Sequence, residues 1–230
     1  MLVIADSHIQ EATPGETDFW KMLRRISAGR QDVCFLGDIL ELWVSLPGYE
    51  TAMQRRFLEW CEEESKRRKV YFVEGNHEFC VFRRNRQCFT DGGEDTLVLN
   101  GIMLLHGDLI QPAGSSHYLF RKLTKSWLMS LFVRILPGGR WLVAKVKKLM
   151  EARAKHRKFF FPRERIDAWC NSQETEGVRS LVMGHFHHRA VSMKDGEKPW
   201  TVIPDWKKRR QVAKLDLQTG KLKIIPWQEI

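Results

Sequence analysis

The chain has no C-x-x-C pair among its five cysteines, no run of 18 uncharged apolar residues, no internal repeat and no low-complexity tract. Each absence excludes something. Cys34, Cys61, Cys80, Cys88 and Cys170 are odd in number and widely spaced, which excludes a disulfide framework or a zinc knuckle and fits free thiols in a reducing compartment. The longest apolar stretch, Trp127 to Ile135, is interrupted by Arg134 and is far too short to span a bilayer. The opening run Met1-Leu2-Val3-Ile4-Ala5-Asp6 lacks the basic n-region and long h-region of a secretory signal. A hydrophobic content of 43 % argues against overall disorder. The expectation is one cytoplasmic domain with an insertion, soluble or resting on a membrane surface.

What is present is charge, and it is unevenly placed. The chain carries 38 Lys and Arg against 28 Asp and Glu, a formal +10. Between Ser115 and Lys158 twelve basic residues face only Glu151, so that stretch is net +11 and the remainder net −1. Its periodicity is helical, with Pro137-Gly138-Gly139 in the middle. The stretch is too long for a plain connection, so residues 116–158 read as an inserted basic helical hairpin, a cap on a body made of 1–115 and 159–230.

Outside the insertion, short apolar runs at Leu2–Ala5, Val33–Leu36, Val70–Val73, Ile102–Leu105 and Leu181–Met183 read as buried strands. Helical spacing separates the first three, over about Thr17–Ala28 and Ala52–Arg68. That alternation predicts an α/β fold with a partly parallel sheet. Strand candidates at Ala190–Met193, Trp200–Ile203, Val212–Leu217 and Lys221–Ile225, punctuated by Asp195-Gly196 and Thr219-Gly220, read as antiparallel, giving two packed sheets.

The residues just after these strands carry the chemistry. They are Asp6-Ser7-His8, Gly37-Asp38, Gly75-Asn76-His77-Glu78, His106-Gly107-Asp108 and Gly184-His185-Phe186-His187-His188. Ligands in α/β sheets gather at the carboxyl ends of strands. Asp6 with His8, and His185 with His187, are spaced i, i+2, so an extended backbone would point each pair one way. Mixed Asp, His and Asn ligands suit two divalent ions, Mn²⁺ first, with Zn²⁺ or Fe²⁺ as alternatives. Two ions about 3.5–4 Å apart can share a carboxylate and a water, making hydroxide available at neutral pH to attack phosphorus.

Asp-x-His, Gly-Asp, Gly-Asn-His-Glu, His-Gly-Asp and Gly-His-x-His together resemble the calcineurin-like metallophosphoesterases. The resemblance implies a four-layer αββα sandwich and a binuclear centre. Carried over by position, Asp6, His8, Asp38 and His187 would hold one metal, and Asp38, Asn76, His106 and His185 the other, with Asp38 bridging. His77 would act beside the phosphate as an acid or hydrogen-bond donor. Glu78, where Asp is commoner in the family, would orient His77. His188 points the other way and is structural.

Gly37-Asp38-Ile39-Leu40-Glu41-Leu42-Trp43, together with the insertion, is similar to the UDP-2,3-diacylglucosamine diphosphatase family. Tyr118-Leu119-Phe120-Arg121, the Trp127–Phe132 run and Trp206 add to that likeness. It implies hydrolysis of a lipid-linked nucleotide to UMP and a lipid monophosphate. It also implies peripheral association with the cytoplasmic face of the inner membrane and no obligate protein partner. Leu123, Trp127, Leu131 and Ile135 form an apolar stripe flanked by cations, which suits acyl chains or an anionic membrane. Asn76, His77, Lys155, Arg157 and Lys158 are candidates to grip the substrate. The sequence departs from that family at His77, where Arg is usual. It departs again at Val44-Ser45-Leu46, in place of Gly-Asp-Asp, and at Gly114-Ser115-Ser116, where an acidic residue is usual. A soluble metallophosphoesterase of other phosphodiesters or nucleotides is the enzymatic alternative. A nucleic-acid or membrane-binding module would explain the cations, with Arg83, Arg84 and Arg86 adding to them, but has no use for seven metal ligands.

Overall fold

The computed structural model describes residues 1–46, 48–110 and 161–230. The expected hairpin at 116–158, with Lys155, Arg157 and Lys158, lies outside the described residues.

The first strands are β1 (Leu2–Ile4), β2 (Val33–Leu36), β3 (Trp43–Val44), β4 (Val70–Val73), β5 (Glu78–Phe79) and β6 (Asp91–Gly93). Then come β7 (Thr96–Leu99), β8 (Ile102–Leu105), β9 (Ser180–Met183), β10 (Ala190–Ser192), β11 (Trp200–Val202), β12 (Gln211–Leu215) and β13 (Leu222–Pro226). The helices are α1 (Pro14–Ala28), α2 (Ala52–Ser65), α3 (Val81–Arg84), α4 (Arg163–Cys170) and α5 (Trp206–Arg209). One sheet has the order β13-β12-β1-β2-β4-β6, parallel from β1 through β6 and antiparallel where β12 and β13 join it. A second sheet has the order β10-β11-β9-β8-β7.

Strand residues alternate between faces, and here both faces are apolar. Leu2, Ile4, Val33, Phe35, Val70 and Phe72 pack toward α1 and α2. The intervening Val3, Cys34, Leu36 and Val73 pack against Ile102, Leu104 and Val182 of the second sheet. That sheet's other face, Met103, Leu105, Leu181 and Met183, meets Ile166 and Cys170 of α4. Helices, sheet, sheet and helix give the expected four αββα layers. All five cysteines are buried.

The differences from expectation are local. Helix α1 begins at Pro14 because the Thr13 side chain caps it and proline suits the first turn. Helix α2 starts with a Thr51–Gln54 capping box and stops at Ser65, short of Arg68. The Arg68 guanidinium instead donates to Glu64 and to the carbonyls of Gln31 and Gly29. In the C-terminal part β11 runs parallel to β9, not antiparallel as expected, because the chain crosses back along β10 first. The small parallel pair β3–β5 joins Trp43 to Glu78 and Val44 to Phe79.

Candidate metal centre

The segments that follow β1, β2, β4, β8 and β9 meet at one end of the sandwich, laced together by backbone hydrogen bonds. The N–H of Asp6 donates to the Gly37 carbonyl (3.1 Å), His8 to Asp38 (2.9 Å), Trp43 to His77 (2.7 Å) and Gly184 to His106 (3.0 Å). The backbone there is not extended, contrary to the expectation from i, i+2 spacing. Asp6, His8, Asp38, His185 and His187 all have positive φ, between 41° and 67°. Non-glycine residues adopt that region at a cost that surrounding structure must hold, and such outliers cluster at functional sites. Each positive φ turns a side chain inward that a regular strand would send elsewhere. Two glycines leave the room: a Cβ at Gly37 would strike the His106 ring, and one at Gly75 the Asp38 carboxylate.

The inward groups converge closely. His106 Nε2 lies 3.3 Å from Asp38 Oδ2 and 3.3 Å from His185 Nδ1. His8 Nε2 lies 3.6 Å from Asp38 Oδ2 and 3.9 Å from Asp6 Oδ1. His187 Nε2 is 3.4 Å from Asp6 Oδ1. Two ligands about 2.1 Å from one ion sit roughly 3.0–3.4 Å apart, so the spacing suits cations between them. Asp6–His8–His187 and Asp38–His106–His185 are each close enough to hold one ion, and Asp38 also faces His8 and His77.

Hydrogen bonds decide which atoms remain available. Asp38 Oδ1 accepts from the His77 N–H at 2.9 Å, leaving Oδ2 toward His8 and His106. Asp6 Oδ2 accepts from the His185 N–H at 2.7 Å, leaving Oδ1, which is buried without a hydrogen-bond partner. The Asn76 amide oxygen is likewise buried and unpartnered. His106 Nδ1 faces the Leu36 carbonyl at 3.0 Å; a carbonyl only accepts, so Nδ1 carries a proton and Nε2, a lone pair whenever the ring is neutral, is the nitrogen turned to the centre. Buried oxygens without hydrogen-bond partners, facing inward-turned ring nitrogens, call for positive charge. The donor set fits divalent ions.

The electrostatics agree. Burial, helped by His77, His187 and Lys207 against Asp38, pushes His8 down to about 3, and burial with His106 holds His185 well below its ordinary value. Both are therefore neutral, the form a metal binds. Burial works against the Asp38 anion, but His106, His77 and His8 outweigh it and hold the carboxyl well below the usual carboxylate range. Burial also opposes charge on His106, yet Asp38 and Asp6 draw it up to about 9, so without metal a proton supplies part of the missing positive charge.

Other residues act differently from expectation. Glu78 does not orient His77. Its buried carboxylate accepts from the backbone N–H groups of Asp38, Ile39 and Gly75, each at 2.8 Å, and so fixes the loop that presents Asp38. The carboxylate beside His77 is Glu41, with Oε1 3.8 Å from His77 Nδ1; its place three residues after Asp38 was the available signal. Asp205, buried 4.0 Å from His187 Nδ1, had no sequence signal. His188 is exposed and rests on Phe161 with ring centroids 5.2 Å apart, away from the centre as expected.

Comparison with known proteins agrees with this geometry. The calcineurin-like phosphoesterase family profile matches residues 1–212. A UDP-2,3-diacylglucosamine hydrolase of Coxiella burnetii (strain Dugway 5J108-111) is 25 % identical over 203 residues, covering 83 % of this chain and 81 % of that protein. One from Psychromonas ingrahamii is 24 % identical over 238 residues, covering 97 % and 96 %. Among solved structures, the Pseudomonas putida nuclease MPE aligns with a TM-score of 0.41 at 13 % identity, covering 97 % of this chain and 86 % of that one; so loose a likeness carries no argument.

Proposed function

The chain belongs to the calcineurin-like phosphoesterase family and is a metal-dependent hydrolase, and from that premise we propose that it hydrolyses the diphosphate of UDP-2,3-diacylglucosamine to UMP and a lipid monophosphate. The observation that carries the reaction class is the convergence of Asp6, His8, Asp38, His106, His185 and His187 with buried, unpartnered oxygens among them. The substrate reading is supported by relatives of that description that span over four-fifths of both chains.

In this reading Asp6, His8, Asp38 and His187 would hold one ion, and Asp38, Asn76, His106 and His185 the other, Mn²⁺ in each. When bound, such a pair lowers the pKa of water and neutralises charge on the phosphate. Asp38 would belong to both sets, with Oδ2 the oxygen left available, since Oδ1 accepts from the His77 N–H. His77, between Asp38 and Glu41, directs Nε2 toward the reacting phosphoryl group and donates to the oxygen that gathers charge. Glu78 contributes by keeping the Asp38 loop rigid. The basic segment 116–158 meets the lipid and the anionic inner face of the membrane, an assignment that rests on its net +11. Among the described residues no helix is long and apolar enough to cross a bilayer.

Mn²⁺-loaded protein should release UMP from UDP-2,3-diacylglucosamine, lose that activity on chelation and regain it when Mn²⁺ returns. His8→Ala should abolish it. Cleavage of an aryl phosphodiester without cleavage of the lipid would remove the substrate assignment and leave a metallohydrolase of other phosphate esters.

A further inference from the structure

Helix α5 and the residue that ends it carry the run Lys207-Lys208-Arg209-Arg210, and the metal centre uses none of it. Arg209 is engaged by Asp205 at 3.7 Å, and Arg210 by Asp18 at 3.5 Å. Lys207 turns the other way, toward the centre. Its backbone N–H donates to the carbonyl of Asp6 at 3.1 Å, and that of Trp206 to Ala5 at 3.0 Å. The lysine is thus anchored to the segment that presents Asp6. Its ammonium stands 3.9 Å from Glu41 Oε2, and the other oxygen of that carboxylate is 3.8 Å from His77 Nδ1. Gln10 Nε2 donates to Glu41 Oε2 at 3.1 Å, which steadies the carboxylate. At 3.9 Å Lys207 and Glu41 attract without a hydrogen bond, and the lysine side chain stays 46 % exposed. A three-donor cation is held at the rim, across the Glu41 carboxylate from His77.

We propose that Lys207 forms an anion subsite for the second phosphate of a diphosphate diester, the one that is not attacked. The inference rests on the reading that this end of the sandwich hydrolyses phosphate esters. A diphosphate diester carries a negative charge on each of two adjacent phosphates. The metal centre meets the first, and the second extends past His77 to the Lys207 ammonium. A lysine serves such a group as a compact point charge. Glu41 keeps the ammonium from swinging out to solvent. The subsite selects diphosphates over simple phosphodiesters, whose single charge the centre already satisfies.

The test is titration calorimetry of Mn²⁺-loaded protein with UDP-N-acetylglucosamine, a diphosphate diester without acyl chains. Hydrolysis of bis(p-nitrophenyl) phosphate, which carries one charge, is followed alongside. Losing one charge-assisted contact should raise the Kd of Lys207→Gln about ten-fold. Lys207→Arg should recover most of that loss. The KM for bis(p-nitrophenyl) phosphate and the thermal midpoint should stay at their wild-type values in both variants, which separates a binding role from a structural one. Equal Kd values for wild type and Lys207→Gln, no measurable wild-type binding, or the same proportional loss with both probes would overturn the subsite. Lys207-dependent binding in a protein that hydrolyses neither phosphate ester would retain the subsite and overturn the proposed function instead.

Discussion

The two faces of the six-stranded sheet are packed with different material. Toward α1 and α2 the filling is aromatic: Phe57 alone lies within 4.9–6.5 Å, centroid to centroid, of Phe19, Phe35, Trp43, Trp60 and Phe72. Toward the second sheet it is small and aliphatic. Val3, Ala5, Cys34, Leu36 and Val73 meet Leu97, Ile102, Leu104, Val182 and Ile203, and among the described residues Tyr71 is the one ring that touches this layer, partly buried. Broad rings bury more area per residue and dominate stability. Small side chains do something else: they set how near the strand ends of the two sheets come. Asp6 and Asp38 arrive from one sheet, His106 and His185 from the other, so the thin layer is the spacer on which the metal centre depends.

Mutations should separate the two roles. The largest effect belongs to Phe57→Ala, which should cost about 3–5 kcal/mol and lower the thermal midpoint by roughly 10 °C. The fraction still folded at low temperature should keep wild-type kcat, read by calorimetry and by turnover of a chromogenic phosphodiester. Loss of kcat in parallel with stability would erase the distinction between the layers. Next comes Ala5→Leu in the thin layer. Ala5 is 1 % exposed and abuts Gly184, whose added Cβ would lie 2.7 Å from the alanine methyl and from Asp6 Oδ2. The larger side chain must push Asp6 against His185, and a displacement near 1 Å is enough to lower kcat by about 10²-fold. A stable Ala5→Leu protein with full activity would refute the spacer role.

The smallest effect sharpens the comparison by pH. Glu64 fastens α2 on the broad-layer side, accepting from Ser27 Oγ (2.7 Å), Arg67 Nη2 (2.9 Å) and Arg68 Nε (2.7 Å). Burial alone would raise its pKa, but those three partners together hold the carboxyl below 4.5. The folded state therefore binds this proton less readily than the unfolded chain. The contribution is full above the ordinary carboxylate pKa and drains as pH falls through the folded value. Glu64→Gln should cost about 2 kcal/mol at neutral pH and nothing in acid below the folded pKa, measured by urea denaturation across pH. A cost independent of pH would show that shape, not charge, fastens the helix.

Much of the fold was legible because the central strands are buried on both faces and read as unbroken apolar runs, as in Val33-Cys34-Phe35-Leu36. The same runs ended in visible candidate ligands, and six of the seven, Asp6, His8, Asp38, His106, His185 and His187, lie close together, with the Asn76 oxygen buried. What stayed hidden has physical reasons. Strand β6 is Asp91-Gly92-Gly93, which reads as a turn; it pairs because Gly92 lets the Phe72 carbonyl approach where any Cβ would collide. Strands β3 and β5 have two residues each, too few to show a period. The target of Glu78 was invisible because backbone N–H groups leave no mark in a sequence. Left-handed turns at Asp6, Asp38 and His185 were hidden for a related reason: nothing in an Asp or His says that its neighbours will hold it there.

The pairing of β1 with β12 has a consequence for how the molecule comes into being. Leu2 aligns with Lys214 and Val3 with Ala213, so β1 keeps one edge open until β12, far along the chain, has left the ribosome. During that interval Asp6, His8 and Asp38 are present without His185, His187 or the Trp206–Lys207 backbone that pins the β1 end. Contacts so distant along the chain close slowly, and a growing chain can gather only part of a ligand set. Assembly of the candidate ligand set is thereby deferred until the chain has been made as far as β12.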